Sequence, residues 1–556
     1  MRFMRKFCQP AVLLLSIVLA GCGRPSALTT ARLVQPIVGL PAGTDGFPWW
    51  NDTVFYEIFV RSYFDSNGDG IGDLRGLVAK LDYLNDGDAA TSEDLGVTGL
   101  WLMPIHPSPS YHGYDVTDYY AINPEYGTME DFQQLLREAH RRGVRVLIDL
   151  VLNHTSSGHP WFLAAQDPAS ARRDWYLWSE ENPGYLGPWG QTVWHPSTSG
   201  HYYGLFWEGM PDLNYTNPEV TAQMQDVVRF WLQDVGVDGF RLDAARHLIE
   251  DGQLQTNSEA THTWYKTFRP YYKSLNQQAL TVGEAWDTPA AVAAYIQGDE
   301  LDLAFDFGLA QAAISSARTG RAAEVARVLS IDFQVFPGHQ FATFLSNHDQ
   351  NRVLSQLAGN VDKAKVAATM LLTFPGVPFI YYGEEIGMEG RKPDEDIRLP
   401  MQWSGEENAG FTTGRAWRSV NTSYTTANVA AEMTNSDSLL SHYRRLIHLR
   451  NDHAALRVGD EFIVTVDNPA IFSHLRASQK EAVLVVLNLG AETASGFHLS
   501  LESGLLKAGS CGALPILGDG PFEDVTVDRQ GGFDSYLPAH DLPGYGAWII
   551  QLECRQ

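Results

Sequence analysis

Eight short apolar runs, at 54–60, 96–105, 144–152, 237–244, 280–286, 303–309, 341–348 and 377–384, are separated mostly by stretches with a helical period. Runs of this length that are apolar on both faces describe parallel strands covered by helices. Eight is the number that closes a (β/α)8 barrel, and a doubly wound open sheet is the alternative that counting leaves standing. Two intervening stretches show their buried stripe clearly. Met129, Phe132, Leu135, Leu136 and Ala139 share one face between the cap candidate Thr128 and the stop at Gly143. Val220, Met224, Val227, Val228, Trp231 and Leu232 do the same behind Asn217-Pro218, a cap followed by proline in the first turn. The interval 154–214 breaks the alternation. It is rich in Gly, Pro, Trp and Tyr and reads as a small domain inserted after the third strand. Beyond about 456 the period falls to two, at 462–466, 471–475, 482–489, 497–501 and 547–552. The expected fold class is α/β: a (β/α)8 TIM barrel over 47–455 with an inserted domain over 154–214, then a C-terminal antiparallel β-sandwich over 456–556.

The first 21 residues read as an export signal. Arg2, Arg5 and Lys6 precede an apolar stretch at 11–20, too short for a membrane-spanning helix. It ends in Leu19-Ala20-Gly21-Cys22, which resembles the bacterial lipoprotein cleavage box, where the thiol after the cut receives diacylglycerol. Cys22 is thus the expected lipidation site. The chain is expected to be an exported bacterial lipoprotein, membrane-anchored on the periplasmic or cell-surface side, with 22–46 as a tether. Of the four cysteines, Cys8 leaves with the signal and Cys22 is lipidated. Cys511 and Cys554 remain, as a disulfide or as two buried thiols. The formal charge of −26 argues against nucleic acid or anionic lipid as a partner of the surface. It suits a neutral substrate, or acids held partly by bound cations. A monomer is expected.

A barrel presents its chemistry at the carboxyl ends of its strands. The third run leads from Asp149 to Asn153-His154, and the fourth through Arg241 to Asp243. The fifth ends in Gly283-Glu284-Ala285-Trp286 and the seventh in Asn347-His348-Asp349. One such acid is an ordinary helix cap or loop residue; four together, each where an apolar strand runs out, are not. Carboxylates that share a partly desolvated site cannot all ionise alike, so their environments separate their roles. Glycoside hydrolysis with retention needs that division, with a nucleophile and an acid/base about 5–5.5 Å apart. Arg241, two residues before Asp243 on a strand, points to the same face and is expected to hold it ionised. Glu284, one methylene longer, can reach a leaving oxygen.

These blocks resemble the signature regions of the α-amylase superfamily of retaining (β/α)8 glycoside hydrolases, over a match running from Trp50 to about Leu456. The resemblance implies Asp243 as nucleophile, Glu284 as general acid/base and Asp349 as the third, transition-state-stabilising carboxylate. It implies sugar contacts from His154, Arg241 and His348, and a platform from Tyr114 in His112-Gly113-Tyr114-Asp115. Met210-Pro211-Asp212-Leu213-Asn214 is similar to the fifth region of a group between the oligo-1,6-glucosidase and neopullulanase branches. Ala244 resembles members acting on α-1,4 links, whereas those cutting α-1,6 links tend to carry Val there. Asp115 and Arg398 match a glucosidase clamp on the terminal glucose. Retaining hydrolysis of α-1,4 bonds in starch-type glucans and maltooligosaccharides is therefore expected. The alternatives are an exo-acting α-glucosidase or glucosyl transferase, and a non-catalytic glucan-binding lipoprotein. Trp189, Trp194, Trp207 and Tyr203 are the candidate cleft walls.

The loop from Asp65 to Asp73 places oxygen ligands at alternate positions with glycines for the turn, a pattern that suits Ca²⁺. Its twelfth position is Gly76, where a helix–loop–helix calcium site needs a bidentate glutamate. A more compact loop is expected, with Asp65, Asn67, Asp69, Asp73 and the Ile71 carbonyl as ligands. Asn153, Asp212 and the His247 carbonyl match family positions for a second ion.

Overall fold

The computed structural model describes residues 39–554; the signal segment, Cys22 and most of the tether lie outside them. The eight apolar runs form β1 (Phe55–Ile58), β2 (Gly99–Leu102), β3 (Arg145–Leu150), β4 (Gly239–Leu242), β5 (Leu280–Gly283), β6 (Leu303–Ala304), β7 (Ala342–Thr343) and β8 (Val377–Tyr381). All pair in parallel, in the order β7-β8-β1-β2-β3-β4-β5-β6. A parallel bridge between Phe305 and Ala342 joins the two ends, so the sheet is a barrel and not an open one. The sixth run is shorter than its apolar pattern, because Asp306 caps a helix that starts at Phe307.

Helix α1 (Met129–Arg141) opens on a reciprocal cap between Thr128 and Asp131 and stops ahead of Gly143, at φ +77°. Helix α2 (Pro218–Arg229) follows the Asn217 cap, then loosens into a π-helical turn at Phe230–Val235. The inserted segment carries a three-stranded antiparallel sheet with its own small core of Val193, Trp194, Tyr203 and Leu205. The C-terminal region forms a six-stranded antiparallel sheet and a three-stranded one around a shared core. Its strands Gly509–Leu517 and Val525–Val527 were not indicated by alternation. Gly512 and Pro515 break the pattern, and the register shifts between Pro515 and Leu517. Cys511 lies directly opposite Cys554 in this sheet, and the two are joined as a disulfide.

Strand alternation aims the chemistry. Tyr56, Ile58, Ile148, Leu150, Phe240 and Leu242 pack in the large core that includes the outer helices; Phe55, Trp101, Leu147, Leu280 and Val282 belong to a separate core. The side chains between the first set, Glu57, Asp149 and Arg241, must therefore turn to the barrel interior. Asp149 and Arg241 are also register partners across β3 and β4.

Helices α3 (Phe307–Thr319) and α4 (Ala323–Val335) enclose a second pair of acids. Asp306 caps α3 through one oxygen, to the Leu309 amide at 2.9 Å. Its other oxygen and both oxygens of Asp332 are buried without a hydrogen-bond partner among the described residues. Burial, then the charge of Asp306, pushes Asp332 up to about 9. Native Asp332 thus keeps a proton that the unfolded chain releases above about 4. Stability from this group falls as pH rises between those values, at most by roughly 1.4 kcal/mol per pH unit. Asp332→Asn, which stays neutral and can donate to Asp306, should be more resistant to urea than the parent at pH 8. The gap should widen from pH 5 to pH 9; parallel curves would refute the proton retained on Asp332.

Candidate active site

A cleft of about 690 Å³ opens at the carboxyl ends of the strands, and Asp243, Glu284 and Asp349 all line it. Below it lies Arg241, 1% exposed. Its Nη1 donates to both oxygens of Asp149, at 2.9 and 3.0 Å, and to Asp243 Oδ1 at 2.8 Å. Its Nη2 donates to Glu284 Oε2 at 2.7 Å, which also accepts from the Ala244 amide at 3.2 Å. Ala244 holds φ +49°, a left-handed conformation uncommon outside glycine.

Arg241 reaches Asp243 as expected, but burial and the neighbouring acids oppose its hold on the ionised form. One guanidinium serves three carboxylates. Burial pushes Asp243 up to about 8; Arg241 opposes this, and the charges of Glu284, Asp149 and Asp349 add to it. That titration belongs to the set as a whole and not to Asp243 alone.

His348 organises the other wall. Its Nδ1 donates to Glu57 at 2.6 Å, and its Nε2 lies 2.7 Å from the Tyr114 hydroxyl and 3.2 Å from Asp349 Oδ2. Burial would lower it, but Asp349 and Glu57 raise it to about 9, so the ring is an imidazolium at neutral pH. Arg398 donates to Asp349 Oδ1 at 2.7 Å. Burial would raise Asp349; His348, then Arg398, outweigh it and hold the carboxyl far below the usual range. The Tyr114 ring stacks on His348 at 5.4 Å between centroids and lines the cleft. His154 lines it too; its Nε2 has no partner among the described residues, and burial lowers the ring to about 3, so it is neutral.

The expected contacts divide. Tyr114, His154 and Arg398 line the cleft, whereas Arg241, His348 and Asp115 do not; the first two of these stand behind it. Asp115 is corrected as a clamp residue: it is 3% exposed and accepts from the hydroxyls of Ser108, at 2.6 Å, and Ser110. Two of the four wall candidates are corrected as well. Trp189 and Trp207 line the cleft, but Trp194 and Tyr203 fill the core of the inserted domain. Glu57 was missed because an acid inside an apolar strand leaves no pattern. His112, Arg246, Trp286, Lys392 and Asp394 also line the cleft; of these His112 and Trp286 stood in motifs.

The two cation candidates differ. In the first loop the side-chain oxygens are turned onto the loop itself. Asp65 accepts from the amides of Asn67, Gly68 and Gly70, Asn67 from that of Asp69, and Asp69 from that of Ile71. Asp73 caps the following helix through Gly76 and holds Ser66. Among the described residues no three His, Cys, Asp or Glu side chains form a metal-holding group. The all-oxygen donor set is nevertheless the kind calcium takes. At the second position Asn153 donates to Asp212 at 3.0 Å, which leaves Asn153 Oδ1 buried without a partner, as is Glu250 Oε1. Burial pushes Glu250 up to about 8, and burial, then Glu250, raises Asp212. The His247 ring is engaged with the Gln255 carbonyl at 2.9 Å. Orphaned oxygens beside two acids under strain from burial fit a hard cation; Glu250 had no sequence signal.

A family model for the alpha amylase catalytic domain matches residues 57–459. The chain belongs to the alpha-amylase family. Alpha-amylase 3 of Dictyoglomus thermophilum is 41% identical over 447 residues, covering 80% of this chain and 85% of the relative. The oligo-1,6-glucosidase of Parageobacillus thermoglucosidasius is 32% identical over 520 residues, covering 80% and 91%. The crystal structure of an alpha-amylase from H. orenii aligns at 42% identity with a TM-score of 0.79, covering 90% of this chain and 99% of that one. As a member of the alpha-amylase family, the chain is a glycoside hydrolase, with that family's barrel and C-terminal sheet.

Proposed function

We propose that this enzyme hydrolyses α-1,4-glucosidic bonds in starch-type glucans and maltooligosaccharides with retention. The observation that carries the reading is the single buried guanidinium joined to both Asp243 and Glu284 on the floor of a cleft that Asp349 also lines. Asp243 attacks the anomeric carbon, and the bond to the leaving oxygen breaks as Glu284 gives that oxygen its proton. Glu284 then takes a proton from water, whose oxygen bonds to the anomeric carbon while Asp243 departs as carboxylate. Asp349, ionised and clamped by Arg398, holds sugar hydroxyls and the developing positive charge.

The higher identity to alpha-amylases, 41% against 32% for the oligo-1,6-glucosidase, supports this choice of linkage. The second reading is an exo-acting α-glucosidase or glucosyl transferase, favoured by the Arg398–Asp349 clamp. Starch oligosaccharides blocked at the non-reducing end separate the two: an internally cutting enzyme shortens them at once, and an exo enzyme leaves them intact. Activity on neither these nor open maltooligosaccharides would leave only a glucan-binding role.

Calcium is proposed at both candidate sites, with Asp65, Asn67, Asp69, Asp73 and the Ile71 carbonyl holding one ion. Asn153, Asp212 and the His247 carbonyl, now with Glu250, would hold the other. Bound calcium supplies charge neutralisation that fixes these loops. EDTA is expected to lower Tm and added calcium to restore it; an ion at a hundred times its Kd adds about 2.7 kcal/mol. Asp65→Asn and Asp212→Asn should each remove part of that shift, and an unchanged Tm on chelation would refute both sites. The enzyme is further proposed to be a monomer anchored through lipid on Cys22. Among the described residues no helix is long and apolar enough to cross a membrane. Labelling with radioactive palmitate, lost in Cys22→Ala, tests the anchor.

A further inference from the structure

Arg398 clamps Asp349, and part of what fixes Arg398 lies behind the cleft. Its Nη2 donates to Asp349 Oδ1 at 2.7 Å and to Asp394 Oδ2 at 3.3 Å. Its Nε donates to the His348 carbonyl at 2.9 Å. Nη1 has only a long contact, 3.5 Å to the Tyr111 hydroxyl, but the guanidinium carbon also sits 5.7 Å from the Tyr111 ring centroid, within reach of a cation–π attraction. On the backbone side, the Arg398 carbonyl accepts from the Ser62 hydroxyl at 2.6 Å.

Tyr111 and Ser62 both lead to one side chain. The Trp417 ring stacks on Tyr111, with 5.5 Å between centroids and 24° between planes. Trp417 Nε1 donates to Ser62 Oγ at 3.0 Å, across 355 residues of chain. A serine hydroxyl has one proton to give. By filling an acceptor position of Ser62, the indole N–H leaves that proton aimed at the Arg398 carbonyl. Trp417 is itself pinned. Its amide donates to the Gly70 carbonyl at 2.9 Å, and Phe59 meets its ring edge-on at 6.1 Å. Gly70, at φ +95°, permits this approach, since a Cβ there would come within 1.9 Å of the Arg415 carbonyl oxygen. Trp417 stands outside the cleft lining, so it acts on the reaction only through Arg398. A small misplacement of a group that orients the reacting sugar is enough to slow the reaction.

We propose that Trp417 is a positioning residue that holds Arg398, and through it Asp349, in place by way of Ser62 and Tyr111. The assignment rests on the α-glucan hydrolase reading above and adds which remote side chain sets the clamp.

Trp417→Phe keeps a ring against Tyr111 and removes the indole N–H. It should lower kcat/KM by about threefold to tenfold, as expected for one lost hydrogen bond. The factor should be the same on maltoheptaose and on α-maltosyl fluoride, because Asp349 meets the sugar that is transferred, whatever leaves. In the Arg398→Ala background the same change should cost less than about twofold on the fluoride, since the group it positions is gone. A residue that only supports the fold would cost an equal factor in both backgrounds. That result, or no loss at all from Trp417→Phe in the wild type, overturns this inference and leaves the parent reading intact. Ser62→Ala cuts the same link at its other end and should show the same dependence on Arg398; a loss independent of Arg398 counts equally against it. A wild-type enzyme inert on both substrates overturns the parent reading, and this one with it.

Discussion

Asp243→Asn should lower kcat/KM on maltooligosaccharides by on the order of 10⁴-fold or more, while maltoheptaose still binds in a calorimetric titration. The amide is nearly isosteric and its oxygen can still accept from Arg241 Nη1, which reaches Oδ1 at 2.8 Å. What it cannot do is form the ester to the anomeric carbon that divides the displacement into two steps. The change also relieves a crowded site. Three carboxylates, Asp149, Asp243 and Glu284, surround one guanidinium, and charges of like sign push Asp243 upward after burial. Removing one acid should therefore leave Tm equal to or above that of the parent at pH 8, so that lost turnover and lost folding are told apart. Turnover within tenfold of wild type would sink the assignment of the nucleophile.

Glu284→Gln is expected to cost about 10²- to 10⁴-fold on maltoheptaose, and far less on α-maltosyl fluoride. A sugar alkoxide is a poor leaving group and needs a proton in the transition state; fluoride does not. In the free enzyme Glu284 Oε2 is already taken by Arg241 and the Ala244 amide, so Oε1 is the oxygen available to the glycosidic bond. An equal loss on both substrates would instead mark Glu284 as a residue that only positions Arg241.

Much of this site was open to sequence reasoning for one reason: a strand's end is a local event. An apolar run that stops in Asp, Glu or His announces a barrel rim whatever surrounds it, and Asp243, Glu284 and Asp349 do line one cleft. Helix caps at Thr128 and Asn217 were legible for the same reason. Errors arose where the deciding contact depends on how a loop or small sheet folds and not on the motif itself. Asp115 looked like a sugar contact by its motif, but Ser108 and Ser110 hydroxyls occupy it. Trp194 and Tyr203 shared the composition of a cleft wall but lie in a small core. The strand at Gly509–Leu517 hid behind a glycine and a proline that its antiparallel neighbours tolerate.

Residue order and periodicity were enough for the eight strands and the order of the motifs, because each depends on spacing within a few residues; closure of the sheet into a barrel was decided by the bridge between Phe305 and Ala342. Three-dimensional packing alone settled the charge states of the acids and their facing. Alternation sends Asp149 and Arg241 into the barrel only once it is known which face the helices cover. Arg241 then meets three carboxylates brought by β3, β4 and β5, and Glu57 from β1 meets His348 across 291 residues. Electrostatic energy depends on distance through space and on burial, and neither is a property of position along the chain.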